Sequence, residues 1–290
     1  GPDITVAGFQ SKMVEKHATM SAGHRKLMAV SGLLLLIGII AVVFRATTDG
    51  FDYRAPWGYY AATVAFLLTA GAGAPLIIVA LRLTQAHWRR PFARLSELYA
   101  AVGVLTLAMF IPLLLLVPNA NNRFTLWFQA DNGGSSIRIP WAPHFWITLL
   151  ISMLVVSGIA LLLVSARSDK ANLNDNMGKS RGWLSKGWIG SSKQWAIKKG
   201  GLTFLGACYF FLLIGTLSFF SVDFGMALVP GWKDAIFPAF QSVTGLQAGL
   251  ATVIVTLWLV RKYCGFEDYI QMEHFWAASK ILLALSLMFF

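Results

Sequence analysis

Seven stretches of this chain are apolar and almost free of charge, and each approaches or exceeds the length needed to cross about 30 Å of hydrocarbon. They run over residues 27–44, 58–81, 98–117, 144–164, 202–222, 237–260 and 275–290. The third holds Pro112, the sixth holds Gln241 and Gln247, and the seventh holds Lys280 before the chain ends inside it. Buried helices of this length without charge are rare in soluble domains. Open strands cannot cross lipid, because their backbone N–H and C=O groups would go unpaired, and these runs are too long for barrel strands of about 9–11 residues. The pattern predicts an all-α integral membrane protein, a polytopic helical bundle with seven visible spans, the seventh truncated. Composition agrees: 57% of the chain is hydrophobic and 13% is charged, against about 25% charged in soluble domains.

The formal net charge of +11 would point to nucleic acid in a soluble protein. Its placement points elsewhere. Lys and Arg fall alternately heavy and light on successive connections, 18 on one side and 5 on the other, with Lys280 inside a span. The heavy side holds the N-terminal tail (Lys12, Lys16, Arg25, Lys26), the second connection (Arg82, Arg89, Arg90, Arg94), the fourth and the sixth. Cytoplasmic loops carry this excess. The expected layout is a cytoplasmic tail over 1–26 and a bundle over 27–290, with the N-terminus inside and a basic cytoplasmic loop at 165–201. No nucleic-acid partner is then needed. The tail is polar and of mixed charge, unlike a signal peptide. The chain begins Gly1-Pro2 and stops in an apolar run, so a fragment of a longer protein is expected.

Within the basic loop, Trp183, Trp188 and Trp195 alternate with lysines. That mixture suits the headgroup region of a leaflet; docking of a partner subunit is the sharper alternative. On the opposite side, residues 118–143 carry Phe124, Trp127, Phe128 and Trp141. With residues 221–236 they would form an outer platform or an ordinary aromatic belt.

Ionisable groups within or near spans are few, and such groups are often functional. Asp223 closes the fifth span on the outer side, where a carboxylate can take a proton released by a quinol or simply face water. His144 opens the fourth span beside Trp141 and Trp146 and is a candidate hydrogen-bond partner for a quinone oxygen, or a structural residue. Glu97 opens the third span on the inner side, as the mouth of a proton path or as the partner of Arg94 or another cation. Lys280 lies about two turns into the seventh span; it can snorkel, pair with an acid, serve a proton path or form a Schiff base. The small residues Ala70-Gly71-Ala72-Gly73-Ala74 permit close helix packing. The histidines do not fall as a pair within the membrane, and Cys208 and Cys264 offer no cluster spacing. Neither haem nor an iron–sulfur cluster is expected in this chain, and no metal site.

Pro56-Trp57-Gly58 with the following Gly/Ala cluster resembles the NrfD/PsrC family of polytopic membrane subunits. Asp223-Phe224, Val229-Pro230-Gly231-Trp232, Phe237-Pro238 and Gly265-Phe266-Glu267-Asp268-Tyr269-Ile270 resemble the ActC-type subunits of alternative complex III. The resemblance implies a subunit of a respiratory or photosynthetic quinol-oxidising complex in a bacterial inner membrane, carrying no redox centre of its own. It implies a quinone, menaquinone or ubiquinone, near the outer face and proton translocation through the bundle. The implied partners are an extracytoplasmic iron–sulfur subunit, multi-haem cytochrome c subunits and a second NrfD-like membrane subunit. Where quinol-binding relatives carry a His in the second span, this chain has Gly71 or Ala72, and an acid early in their fourth span is matched by Ile147 near His144. Of those polar groups Asp223 remains. A structural or proton-conducting subunit without quinone therefore stands as the alternative, followed by a seven-helix retinal protein using Lys280 or a secondary transporter.

Overall fold

The computed structural model describes residues 22–50, 57–86, 90–116, 144–178, 182–226 and 234–288, with positions 8, 11, 88 and 180 besides. Among the described residues every regular element is a helix. Helix α1 covers Ala22–Thr48. The second span consists of α2 (Gly58–Phe66), a π turn (Leu67–Gly71) and α3 (Ala72–Leu83). Helices α4 (Arg90–Leu98) and α5 (Ala100–Leu116) form the third. They are followed by α6 (His144–Asn176), α7 (Ser192–Phe224), α8 (Phe237–Cys264) and α9 (Met272–Leu287). Among the described residues six helical runs are long and apolar enough to cross a membrane: Arg25–Thr48, Gly58–Leu83, Arg90–Leu115, His144–Asn176, Ser192–Phe224 and Phe237–Cys264. The chain is a multi-pass helical membrane protein. Helix α9, formed from the seventh apolar stretch, has 16 residues and a length of about 24 Å, short of those six.

Two helices outrun their apolar stretches. Helices α6 and α7 have 33 residues each, about 50 Å at 1.5 Å per residue. Each extends into the segment 165–201 that the charge pattern marks as a loop. A helix satisfies its own backbone in water as well as in lipid, so charge alone does not end it. Ser191 fixes the start of α7 by accepting the N–H of Gln194 at 3.3 Å. The third span likewise begins earlier than its apolar run, because amphipathic α4 turns Phe92, Ser96 and Glu97 inward ahead of it.

The second span is the axis of the bundle. The buried share of its apolar window is 72%, against 39% or less in the other five and 0% in α1. A helix apolar on every face suits a bundle interior or lipid, and α3 takes the interior, surrounded by α4, α7 and α8. Its small residues let backbones meet. A Cβ on Gly73 would lie 2.3 Å from the Gly245 carbonyl oxygen, and one on Gly249 would lie 2.4 Å from the Gly73 carbonyl carbon. Gly245 and Gly249 form a G-x-x-x-G pair on α8 that accepts α3 at backbone distance. The Ala70–Ala74 cluster is thus occupied by packing.

Pro75 lies inside α3. It cannot donate to the Gly71 carbonyl, and its ring crowds that carbonyl. The chain widens into the π turn directly before it, with the Ala72 N–H bonded back to Leu67. Neighbouring helices add donors: Ser96 Oγ donates to the Ala74 carbonyl at 2.6 Å, and Tyr209 OH donates to the Ala72 carbonyl at 2.6 Å. At the far end Tyr60 OH donates to the Met109 carbonyl at 2.6 Å, tying α2 to α5.

The glycine crossing is directly testable. Gly249→Ala and Gly73→Ala should each lower stability by about 1–3 kcal/mol through overpacking, read as a drop in the thermal midpoint in detergent. Gly38→Ala on α1, with nothing within 4 Å of its added Cβ, should stay within about 1 kcal/mol of wild type. Equal responses at all three positions would refute the crossing.

Candidate functional site

Helices α3, α4, α6 and α7 bring five charged side chains together at one end of the bundle. Glu97 is at its centre, with its side chain 0% exposed. Arg82 Nη2 and Ser165 Oγ donate to its Oε1, the latter at 2.8 Å, and Arg94 Nη1 donates to Oε2 at 2.7 Å. Arg94 also donates through Nε to Asp169 Oδ2 at 2.5 Å and through Nη2 to the Ser165 carbonyl at 2.8 Å. Ser165 Oγ in turn accepts from Arg94 Nη1 at 2.5 Å and from Arg82 Nη2 at 3.2 Å. Its one proton and two lone pairs are then all used. Lys198 donates to Ser168, whose hydroxyl bonds Asp169 Oδ1 at 3.1 Å. A buried carboxylate is tolerated only when paired and fully hydrogen-bonded, and both oxygens of Glu97 meet that condition. Of the two roles foreseen for Glu97, its observed contacts are those of the ion-paired residue.

The basic segment beside this cluster is folded rather than draped. Trp188 is buried, edge-on to Trp195 with ring centroids 5.3 Å apart. The Lys198 ammonium lies 5.0 Å from the Trp195 centroid and 5.8 Å from that of Trp188, and the Arg167 guanidinium lies 5.9 Å from Trp188. Gln194 ties the turn with bonds to the Gly187 carbonyl and to the N–H groups of Ile189 and Gly190. Buried Ser185 accepts from Asn174 Nδ2 at 3.2 Å. Of the three tryptophans, Trp183 is the one left largely open, at 79% exposed.

At the other end, α7 finishes with Asp223, 1% exposed. Phe220 is three residues earlier on the same helix face and stacks on Phe224 at 5.2 Å, and Phe224 meets Phe110 of α5 at 5.6 Å. His144 begins α6, half-buried, and its carbonyl accepts from Thr148. Since α6 and α7 are consecutive antiparallel neighbours, His144 and Asp223 share this end. Trp141 and the platform residues 118–143 lie outside the described residues. Lys280 is exposed on α9 with its ammonium 3.3 Å from the Trp276 ring centroid. It therefore does not face the bundle interior, where a Schiff-base chromophore would sit. Glu97 and Lys280 occupy different surroundings, one buried in ion pairs and one exposed.

Between the two ends α7 buries Tyr209, Thr216 and Asp223 at seven-residue spacing, which places them on one face. Tyr209 borders a cavity of about 10 Å³ lined also by Tyr99, Thr106, Ala72 and Gly158, at the threshold for holding one water. Tyr99 OH and Thr256 Oγ1 share a hydrogen bond of 2.6 Å nearby. Among the described residues no three His, Cys, Asp or Glu side chains gather as metal ligands.

No protein-family model matches the chain, and no curated protein matches it in sequence. The site therefore rests on its own residues. Arg82, Ser165 and Tyr209 were not among the candidates read from the sequence. Arg82 counted there only as one loop cation, and Ser165 and Tyr209 carry no charge to mark them in an apolar background.

Removing the Glu97 carboxylate by Glu97→Ala leaves Arg82 without a carboxylate and Arg94 with Asp169 alone, and should destabilise the protein by about 3 kcal/mol. This is the low end of the usual range, because the Arg94 side chain is 38% exposed. Asp169→Asn, at a side chain 56% exposed, should cost under about 1 kcal/mol. Urea or thermal unfolding in detergent would rank them, and similar losses at both positions would contradict a buried centre at Glu97.

Proposed function

We propose that this chain is a membrane subunit of a quinol-oxidising electron-transfer complex, with its substrate-facing end at Asp223. The carrying observation is a carboxylate 1% exposed at the end of a membrane-spanning helix, on the same face as Phe220 and close to the Phe220–Phe224–Phe110 ring set. The chemistry of that set fits a quinol headgroup: flat apolar rings flank the helix end, and the Asp223 carboxylate is an acceptor for a hydroxyl proton. A quinol oxidised there gives up two electrons and two protons. The electrons leave to a redox partner held by another subunit, and Asp223 takes a proton from the ring hydroxyl as general base. His144 at the same end is the candidate partner of the second ring hydroxyl, whose proton passes to its unprotonated ring nitrogen. The resemblance to NrfD/PsrC subunits supports the same reading and supplies its partners: an iron–sulfur subunit, multi-haem cytochromes and a second membrane subunit.

The orientation follows from charge. The Arg82–Glu97–Lys198 end carries the basic connections and would lie in the cytoplasm with the N-terminus, leaving Asp223 outside in a bacterial inner membrane. Helix α9 would then contribute to a seventh crossing. A second reading, a structural or proton-conducting subunit without bound quinone, is favoured by the buried hydroxyl-and-acid face of Tyr209, Thr216 and Asp223 on α7. Extraction of the native assembly separates the two, since bound quinone supports the first and its absence supports the second.

Two outcomes are expected. Asp223→Asn should slow quinol oxidation by the native assembly by about 10²-fold or more while the subunits still co-purify; unchanged turnover removes Asp223 from the mechanism. Cys264, exposed at the end of α8 nearest the basic cluster, should react with a membrane-impermeant maleimide in inverted vesicles and resist it in right-side-out ones. The opposite pattern would reverse the orientation.

A further inference from the structure

The cluster around Glu97 leaves one strong donor over. Arg82 spends Nη2 on Glu97 and Ser165, while its Nη1 is buried and meets no hydrogen-bond acceptor among the described residues. A guanidinium nitrogen withdrawn from water without an acceptor is costly, so Nη1 calls for an oxygen that these residues do not supply. Charge gives the same indication. Among the described residues of the network, Arg82, Arg94 and Lys198 face Glu97 and Asp169, which leaves one positive charge in excess. Water would satisfy the donor and leave that charge; an anion satisfies both.

Depth selects the anion. Arg82 is in the last turn of α3, and its partner Ser165 directly follows the apolar run of α6 that ends at residue 164. This is the edge of the hydrocarbon, the level at which a bilayer begins to present its phosphates: the core is about 30 Å thick and the headgroups bring the total to about 40–45 Å. The Arg82 side chain is 18% exposed while Nη1 itself is covered, so a headgroup reaches Nη1 only when the guanidinium turns toward its exposed edge. Exposed Lys186, Lys193 and Lys199, on either side of Lys198 in the sequence, add attraction for an anionic leaflet without any acid between residues 182 and 201.

We propose that Arg82 binds a phosphate group through Nη1 at the junction of α3, α4 and α6, and that an anionic phospholipid headgroup supplies it. A guanidinium offers a phosphate directed N–H donors that a lysine ammonium does not reproduce. The Nη2 edge of Arg82 stays on Glu97, and the Nη1 edge turns to the lipid. One side chain thereby joins the bundle's buried carboxylate to the membrane surface.

The test compares the full chain in nanodiscs of phosphatidylcholine alone, of phosphatidylcholine mixed with phosphatidylglycerol, and of phosphatidylcholine with added inorganic phosphate. Thermal midpoints and lipid retained after detergent extraction are the readouts, the latter by native mass spectrometry. Phosphatidylglycerol should raise the midpoint and be retained at about one molecule per chain, with phosphate alone having no effect. Arg82→Lys keeps a cation for Glu97 and removes the second nitrogen; its retention of phosphatidylglycerol should fall at least about tenfold. A midpoint raised by inorganic phosphate and not by phosphatidylglycerol would keep the phosphate site and overturn its lipid source. Wild-type protein indifferent to both, or Arg82→Lys retaining lipid as wild type does, would overturn the site. Should Arg82→Lys not fold, the wild-type comparisons decide alone.

Discussion

A proline in the most buried helix sets the terms for this bundle. Pro75 deprives the Gly71 carbonyl of its donor at a depth where no water is available to replace it. The chain answers with the π turn over Leu67–Gly71 and with hydroxyls from its neighbours, Ser96 of α4 and Tyr209 of α7. The carbonyls they reach, Ala74 and Ala72, belong to the same few residues whose missing side chains admit the Gly245–Gly249 face of α8. Three helices are therefore fastened to the axis by its backbone. In lipid, where apolar contact discriminates poorly between protein and solvent, such backbone contacts are what distinguish one arrangement of greasy helices from another.

The polar groups are sorted by end. Where α3, α4, α6 and α7 emerge, charge is dense and mutually neutralising, and Glu97 is held by three donors. Where α7 finishes, a buried acid, Asp223, lies on a helix rich in phenylalanine. A carboxylate that holds two guanidiniums and a hydroxyl is committed to those contacts, because losing it leaves Arg82 without a carboxylate. The acid at the end of α7 lies on the face of Phe220, beside the Phe220–Phe224–Phe110 ring set. The same functional group is thus a joint at one end and, in the proposed function, a base at the other.

The sequence showed the class of fold plainly, because eighteen or more apolar residues in series leave few options. It placed Glu97 beside Arg94, three residues apart, and so found one of the two ion pairs. It could not find Arg82, 15 residues away, since that pairing depends on how α3 folds back against α4. The span limits drifted for a related reason: hydropathy marks where lipid ends, whereas the helices α6 and α7 end where capping and side-chain bonds end them. The crossing at Gly245 and Gly249 was readable as G-x-x-x-G, but its partner was not, because small residues announce a close approach without naming the surface approached. For Lys280 the side-chain surroundings decided: sequence gave its depth, and only the packing of α9 shows it exposed with Trp276.

The π turn also acts as an angular setting. Relative to an uninterrupted helix, its extra residue turns everything from Ala72 to Leu83 by about 100° about the axis. A chain one residue shorter there would have nearly the same hydropathy profile and the same span, yet it would aim Gly73 away from Gly249 and Arg82 away from Glu97. Rotational phase, invisible to any average over the segment, is what joins the small-residue crossing to the ion cluster a few turns below. In this protein the length of a five-residue turn governs contacts at both levels.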